Sequence, residues 1–492
     1  MSKEKEKKLI KNNKKISYSL IVNFKILFIK YQTLIIFLII SIIFIIFSYF
    51  RFYNLEKRFV FDWDQENICY SVKNIINGKL TLIGPRVVSE AGFFLGPYFS
   101  YLLVPFFLIT KLHPKALIFF VVFINILFFW VSFFVLRKIF GKKTAILFLS
   151  FWTINFFLIH FDTIGWWPVF LPLGIIVTFY FLKKIYKENK KIDWIILGGI
   201  LGFFTNMHFQ FFFIIFFSCV FLLIGLLKKE ITLKIKNIIL LFISFILMFS
   251  PLIIFDLRHQ FLNIKNFFNF FFGSEKALNK DFFIWWSVFG NFLKPLILVG
   301  DPFKNQWPVK IFYFLNLFII FFLQKKELSF KKRFFQSFLI LWIFFPFAFM
   351  FWGKRPAEYY FIFLYPFIYL TLINFFIKIK KLLFLILFLI IFIFLLNKES
   401  IIYNLKDNYF GFYYKEKVAK IIKEKTEGKK FNISFDVPLG MNHGFKYFFD
   451  WYQIQQSGNF SHPLIEVRIP PKKNDIVVEK IGIKIPKEIF KE

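Results

Sequence analysis

The chain has 492 residues, 58% hydrophobic and 24% aromatic, with a mean hydropathy of +0.62. No water-soluble domain carries that much apolar surface, so the composition specifies a polytopic membrane protein. A net charge of +35 would suit nucleic acid, but the lysines fall in short runs between apolar segments. That is the positive-inside pattern, with anionic lipid as the counter-charge and no nucleic-acid partner.

Residues 1–30 are Lys-rich and read as a basic cytoplasmic N-terminus leading into an uncleaved anchor, since no small-x-small cleavage site follows. A span needs roughly 20 apolar residues at ~1.5 Å of rise each. Candidate spans are 31–52, 116–136, 144–161, 168–182, 194–206, 209–227, 237–256, 309–324, 334–352, 361–377 and 381–397. The stretch 194–227 is too long for one span, and Asn206, His208 and Gln210 predict a sharp bend inside it. Gly198, Gly199 and Gly202 permit close helix packing there. Two further apolar stretches, 93–110 and 283–299, keep the basic loops on one side only if both stay at the outer face as interfacial or re-entrant helices. The expected fold is therefore all-α and polytopic, with about eleven transmembrane helices in segment 31–397. The N-terminus is cytoplasmic and the C-terminus outside, in the plasma membrane of a prokaryote. Residues 398–492 read as a small extracytoplasmic α/β domain. Val418, Ile421 and Ile422 form a helical stripe stopped by Gly428, and 431–435 and 476–485 have strand character. Cys69 and Cys219 imply neither a disulfide framework nor a thiolate metal site.

The outer loop 53–115 opens with Asp62-Trp63-Asp64-Gln65-Glu66, three acids in five residues on the face opposite the basic loops. Ile68, Val72, Ile75 and Ile76 make one apolar face, so 63–77 is predicted as an interfacial helix. Asp62 then suits the N-cap, with Gln65 three residues on as a capping box. Asp64 either favours the helix dipole or, desolvated beside Trp63, serves as a general base, with Glu66 in reserve. Gly84-Pro85-Arg86 and Gly96-Pro97 mark turns. Asp162, after His160, is either a solvated loop acid or a second carboxylate facing Asp64 for an acceptor or a divalent metal. His208 at the bend is a packing hydrogen-bonder or a ligand.

Asp256-Leu257-Arg258-His259 and Lys354-Arg355-Pro356-Ala357-Glu358-Tyr359-Tyr360 end two later spans at the outer face. Arginines there run against the positive-inside bias. An anionic partner such as a phosphate in the guanidinium fork explains them, as does neutralisation by Asp256 and Glu358. Mid-span ionisable groups are nearly lacking, which weakens a transporter or flippase reading. No Walker motif, dinucleotide fingerprint or HExxH is present, so no organic cofactor is expected.

Taken in order and sidedness, these motifs resemble the GT-C integral-membrane glycosyltransferases. They are most similar to the branch of dolichyl-phosphate-mannose protein mannosyltransferases and lipid A aminoarabinose transferases. The resemblance runs over roughly residues 30–400 and rests on Trp63-Asp64-Gln65-Glu66, Gly78, Gly84-Pro85, Gly96-Pro97-Tyr98, Arg137 to Lys143, Asp162, Met207-His208-Phe209 and Leu257-Arg258-His259. Two departures are visible: the usual Asp-Glu pair is here Asp64-Gln65-Glu66, and Asp162 is followed by Thr163 rather than Pro. The resemblance implies a sugar donor on a polyprenyl phosphate and a glycan, lipid or protein acceptor. It also implies inversion with Asp64 as base, a leaving phosphate held by Arg258 or Arg355, and a possible divalent metal. His259, Tyr359, His208, Asp162 and Arg86 are the further candidate substrate-binding residues.

Overall fold

The computed structural model describes residues 31–87, 92–232, 234–272, 307–352, 357–379, 383–458, 461–486 and 489. The chain forms two compact units, Met1–Tyr49 and Phe50–Glu492. Seven of the described helices are long and apolar enough to cross a membrane: Tyr31–Phe52, Ala116–Ile139, Trp167–Lys187, Ile235–Arg258, Ser329–Phe349, Tyr359–Lys378 and Phe384–Asn404. The other expected spans also fall on helices, which are shorter or less uniformly apolar. In chain order these include α1 (Tyr31–Phe52), α2 (Leu55–Arg58), α3 (Trp63–Ile76), α4 (Tyr98–Ile109), α5 (Ala116–Ile139), α6 (Lys142–Ile154) and α7 (Phe156–Phe161). There follow α8 (Leu171–Lys187), α9 (Lys191–Met207), α10 (Phe211–Leu227), α11 (Ile235–Arg258) and α12 (Leu262–Phe272). The bundle closes with α13 (Trp307–Lys326), α14 (Ser329–Trp352), α15 (Tyr365–Lys378) and α16 (Leu383–Asn404).

Three local features follow from particular residues. The segment expected as one span at 144–161 is broken at Asn155, whose extended backbone ends α6 and whose side chain accepts the Leu158 N–H at 2.8 Å to start α7. The expected bend is present: α9 stops at Met207, His208 is extended, and α10 begins at Phe211. Gly198 and Gly202 let α9 touch the backbone of α11, since a Cβ on them would stand 2.1 Å from the Leu241 carbonyl and 2.5 Å from that of Phe245. At 12 residues, α4 is too short to cross, in keeping with an interfacial role for 93–110. The stretch 283–299 lies outside the described residues.

The two ends of the bundle differ in composition. One end gathers the basic loops. There Arg333 grips Glu230 at 2.7 and 2.5 Å, Tyr186 donates to the same carboxylate at 3.0 Å, Lys331 donates to the Phe140 carbonyl at 3.3 Å, and Lys378 pairs with Glu327 at 3.4 Å. The other end gathers α3, the 160–167 turn, the bend at 208, the α11–α12 corner, Tyr359 and the C-terminal tail.

The tail carries α17 (Phe412–Thr426), β1 (Asn432–Asp436), α18 (Phe445–Trp451), β2 (Leu464–Arg468), β3 (Ile476–Val478) and β4 (Ile481–Lys484). The sheet order is β1-β2-β4-β3, parallel between β1 and β2 and antiparallel elsewhere. The segment 476–485 is thus a hairpin turned at Glu479 (φ 54°), and α17 ends on Glu427 and Gly428, both at positive φ. The tail is docked rather than tethered. Phe412 packs edge-on against Phe59 and Phe61, and Gly444 lies so close to the Phe61 carbonyl that a Cβ would stand 2.3 Å from it.

Candidate active site

The acidic pentapeptide is the first turn of α3. The Asp62 N–H donates to Gln65 Oε1 at 3.1 Å, the return half of a capping box. Its carboxylate points to the tail, where the Lys415 ammonium donates to Asp62 Oδ1 at 2.7 Å. Glu66 is buried and accepts the backbone N–H of Tyr447, near the start of α18, at 3.0 Å. Two of the three acids therefore tie the loop to the tail. Asp64 differs: it is half-buried and makes no hydrogen bond or ion pair among the described residues. Burial, aided by the charge of Asp62, pushes its carboxyl above the usual value. Beside it Trp63 is 55% exposed and meets the His443 ring edge-on at 4.6 Å.

An aromatic layer lies close to Asp64. The Asp64 charge bears on the Tyr359 phenol. Tyr359 meets Trp166 at 4.6 Å, Tyr360 at 4.7 Å and His208 at 5.8 Å between ring centroids. Gln210 Nε2 donates to the Tyr359 carbonyl at 3.1 Å. His208 is buried, and its Nδ1 accepts the Gln210 N–H at 3.2 Å, which leaves the proton on Nε2. Burial drops its pKa to about 3, so the ring is neutral at any working pH. Among the described residues, the buried Trp166 indole N–H and Gln210 Oε1 have no hydrogen-bond partner and lie beside the same tyrosine.

On from this layer, Phe209 packs against Tyr360 at 5.0 Å and forms one wall of an open apolar cleft of about 300 Å³. Phe94, Leu252, Phe267 and Phe268 line it, with Asp256 as its one acidic residue. Asp256 Oδ1 accepts the N–H groups of Asn263 and Ile264 at 2.7 and 3.3 Å and so anchors the start of α12. It makes no pair with Arg258, which is exposed at the end of α11 with no partner among the described residues. His259 is held by its own helix, Nδ1 to the Phe255 carbonyl at 2.8 Å, with the rings stacked at 4.1 Å. Arg86 donates to the Gly92 carbonyl at 2.9 Å. Arg355 and the Glu358 side chain lie outside the described residues. The two Gly-Pro turns support one another: Gly84 N–H donates to Leu95 at 2.7 Å, and Gly96 N–H to Asn206 at 2.8 Å.

Asp162 is neither solvated nor open. Arg51 donates to its Oδ2 from Nε and Nη2 at 2.9 and 2.7 Å, and Trp152 Nε1 adds a third bond at 3.1 Å. A metal shared by Asp64 and Asp162 does not fit this donor set, because a guanidinium already occupies the cation's place on Asp162. Among the described residues no group of three His, Cys, Asp or Glu is arranged to hold a metal ion. The sequence reading missed Arg51, Trp166 and Lys415. The adjacent tryptophans of the Asp162 turn were a usable signal for the second; nothing local to Lys415 marks it.

No protein-family model matches the chain, and no curated protein matches it in sequence. Solved structures do. The aminoarabinose transferase ArnT from Cupriavidus metallidurans in the apo state aligns with TM-score 0.53 and 10% identity, covering 92% of this chain and 98% of that one. ArnT bound to undecaprenyl phosphate aligns with TM-score 0.51 and 10% identity, covering 91% and 97%. The oligosaccharyltransferase AglB from Archaeoglobus fulgidus, in complex with an inhibitory peptide and a dolichol-phosphate, aligns with TM-score 0.46 and 14% identity, covering 86% and 60%. The ArnT alignments span nearly the whole of both chains, so the resemblance read from the sequence holds at the level of fold.

Proposed function

We propose that this protein transfers a sugar from a polyprenyl-phosphate donor to an acceptor hydroxyl at the outer membrane face, with inversion and with Asp64 as general base. The observation that carries this reading is the setting of Asp64. It is a half-buried carboxylate, unpaired among the described residues and with a raised pKa, one aromatic layer from an apolar cleft at the same end of the bundle. A catalytic base has this profile, whereas a capping or packing acid is partnered, as Asp62 and Glu66 are. The cleft is of a size and polarity to take isoprenoid units, and the fold is shared with a protein bound to undecaprenyl phosphate.

In the proposed step the acceptor oxygen attacks the anomeric carbon and its proton passes to Asp64. The C1–O bond to phosphate breaks, and the polyprenyl phosphate leaves with the electron pair. General-base help of this kind contributes roughly 10²–10⁴-fold. Arg258, exposed and without a partner among the described residues, lies beside the cleft wall residue Leu257 and is assigned to the phosphate with Arg355, where a cation offsets the growing negative charge. Neutral His208 and the Trp166 N–H, which has no partner among the described residues, suit hydroxyl recognition. The acceptor is a glycan, lipid or protein hydroxyl, and the site faces the outside of the plasma membrane.

The competing reading is movement of a lipid-linked or anionic solute across the bilayer. Proteoliposomes carrying the full chain decide between them, using a panel of undecaprenyl-phosphate-linked radiolabelled monosaccharides with extracted membrane lipid and glycan as acceptors. Label appearing in a new glycosidic product, with release of undecaprenyl phosphate, supports transfer. Translocation of intact donor without a product overturns it.

A further inference from the structure

The tail supplies one group to the acidic loop that the proposed mechanism leaves unused. Lys415 lies in the first turn of α17, and its side chain is 1% exposed. Its ammonium donates to three oxygens: the Phe61 carbonyl at 2.8 Å, Asp62 Oδ1 at 2.7 Å and the His443 carbonyl at 2.7 Å. All three donors of the ammonium are thereby used, and the side chain has no freedom left. Two of the acceptors bracket the entry to α3, immediately before Asp64, and the third belongs to the tail loop whose ring packs on Trp63.

We propose that Lys415 is a positioning residue that acts on Asp64 through Asp62: it fixes the backbone entering α3 and draws the Asp62 carboxylate out of the site. This rests on Asp64 being the base.

Two physical reasons converge. A lysine almost never sits wholly buried without a partner of opposite charge, and burial here opposes its charge while Asp62 supports it. Removing the ammonium leaves a survivor that stays charged, because its side chain is 50% exposed, and that no longer has a cation to hold it. The survivor in this case is Asp62, two residues from the base and already felt by it electrostatically. The other charged groups near this corner are accounted for. Glu66 is committed to the Tyr447 N–H, and the Asp450 carboxylate accepts from the Tyr70 hydroxyl at 2.6 Å. Among the described residues, Lys415 is the cation paired with the Asp62 carboxylate. A site on the membrane domain is in this way completed by a residue 353 positions from Asp62.

The test is a second-site rescue in the full-length protein reconstituted with the undecaprenyl-phosphate-linked monosaccharide that the wild type consumes. Lys415→Met is expected to lower kcat on the order of 10- to 100-fold, with donor KM changed less than about twofold. Adding Asp62→Asn to it removes the stranded carboxylate and is expected to recover at least about fivefold of that kcat. A merely structural tie would lower the thermal midpoint of Lys415→Met and restore it in the double variant, with kcat per folded protein unchanged throughout. Near-normal kcat in Lys415→Met, or a double variant no better than the single, overturns the proposal. Should Lys415→Met fail to fold, Lys415→Met/Asp62→Asn is compared with Asp62→Asn, and a folded double variant more than tenfold below Asp62→Asn overturns it too. Asp64→Asn is assayed alongside: if that variant turns over, the base assignment fails whatever Lys415 does. If it is dead and no rescue occurs, the Lys415 proposal alone fails.

Discussion

Arg51 places two N–H donors on a single oxygen of Asp162, at 2.9 and 2.7 Å, and both residues are buried. The pair joins the end of α1 to the turn after α7, and Arg51 also donates to the Trp152 carbonyl at 3.0 Å. Removing either partner strands a buried charge, which costs about 3–5 kcal/mol. Asp162→Ala and Arg51→Ala are each expected to lower the thermal midpoint of the detergent-purified protein by several degrees, whereas the double variant loses less than the sum. Additive losses in a full thermal double-mutant cycle would mean the two residues act independently.

The neutral His208 sets a pH expectation. Its pKa, about 3 because of burial, means that no protonation of this ring occurs in the working range. The acid limb of kcat/KM is instead expected from a carboxylate titrating above the ordinary Asp value, as burial and Asp62 dictate for Asp64. His208→Gln should leave the position of that limb unchanged while altering KM. A limb near pH 6.5 that disappears in the variant would count against the neutral-histidine assignment.

The docking of the tail has its own pH dependence. Glu416 accepts from Tyr452 at 2.8 Å, from His113 at 3.4 Å and from Lys420 at 2.7 Å. Burial opposes its charge, yet these partners together hold its carboxyl at about 2. A depressed carboxyl stabilises the folded state above its unfolded value of about 4.3, and that stability is lost as pH falls through about 2. Glu416→Gln should therefore make the tail more protease-sensitive at pH 7. The gap between variant and wild type should narrow steadily below about pH 4. A gap that widens on acidification would reverse the sign of the linkage.

Sidedness is open to direct labelling. Lys79, after α3, and Lys142, at the start of α6, are both exposed and lie at opposite ends of the bundle. In a Cys219→Ala background, Lys79→Cys should react with a membrane-impermeant maleimide on intact cells, and Lys142→Cys only after permeabilisation. Reaction of both on intact cells would place the basic loops outside.

What the sequence made legible was local. Apolar runs marked the helices because a bilayer demands them. Asp62 and Gln65 announced the start of α3 because capping is a three-residue affair. The polar trio Asn206, His208 and Gln210 marked the bend because those groups cannot sit mid-helix in lipid unpartnered. What stayed hidden was pairing at a distance. Asp162 looked like a solvated loop acid or a metal ligand because its partner, Arg51, precedes it by 111 residues. The interruption at Asn155 was masked by apolar neighbours on both sides. In the tail, β2 was missed because Glu466 and Arg468 interrupt its apolar character, and its register depends on β1, some thirty residues earlier in the chain. Within the acidic pentapeptide, only the structure separates the partnered acids, Asp62 and Glu66, from Asp64.

The central claim is that Asp64 takes the acceptor proton, and one variant bears on it most directly. Asp64→Asn keeps the shape of the side chain and removes the base. In proteoliposomes given an undecaprenyl-phosphate-linked radiolabelled monosaccharide, transfer is expected to fall by roughly 10²–10⁴-fold. Thermal midpoint and binding of undecaprenyl phosphate should stay near those of the wild type. Transfer within a few-fold of the wild type would contradict it.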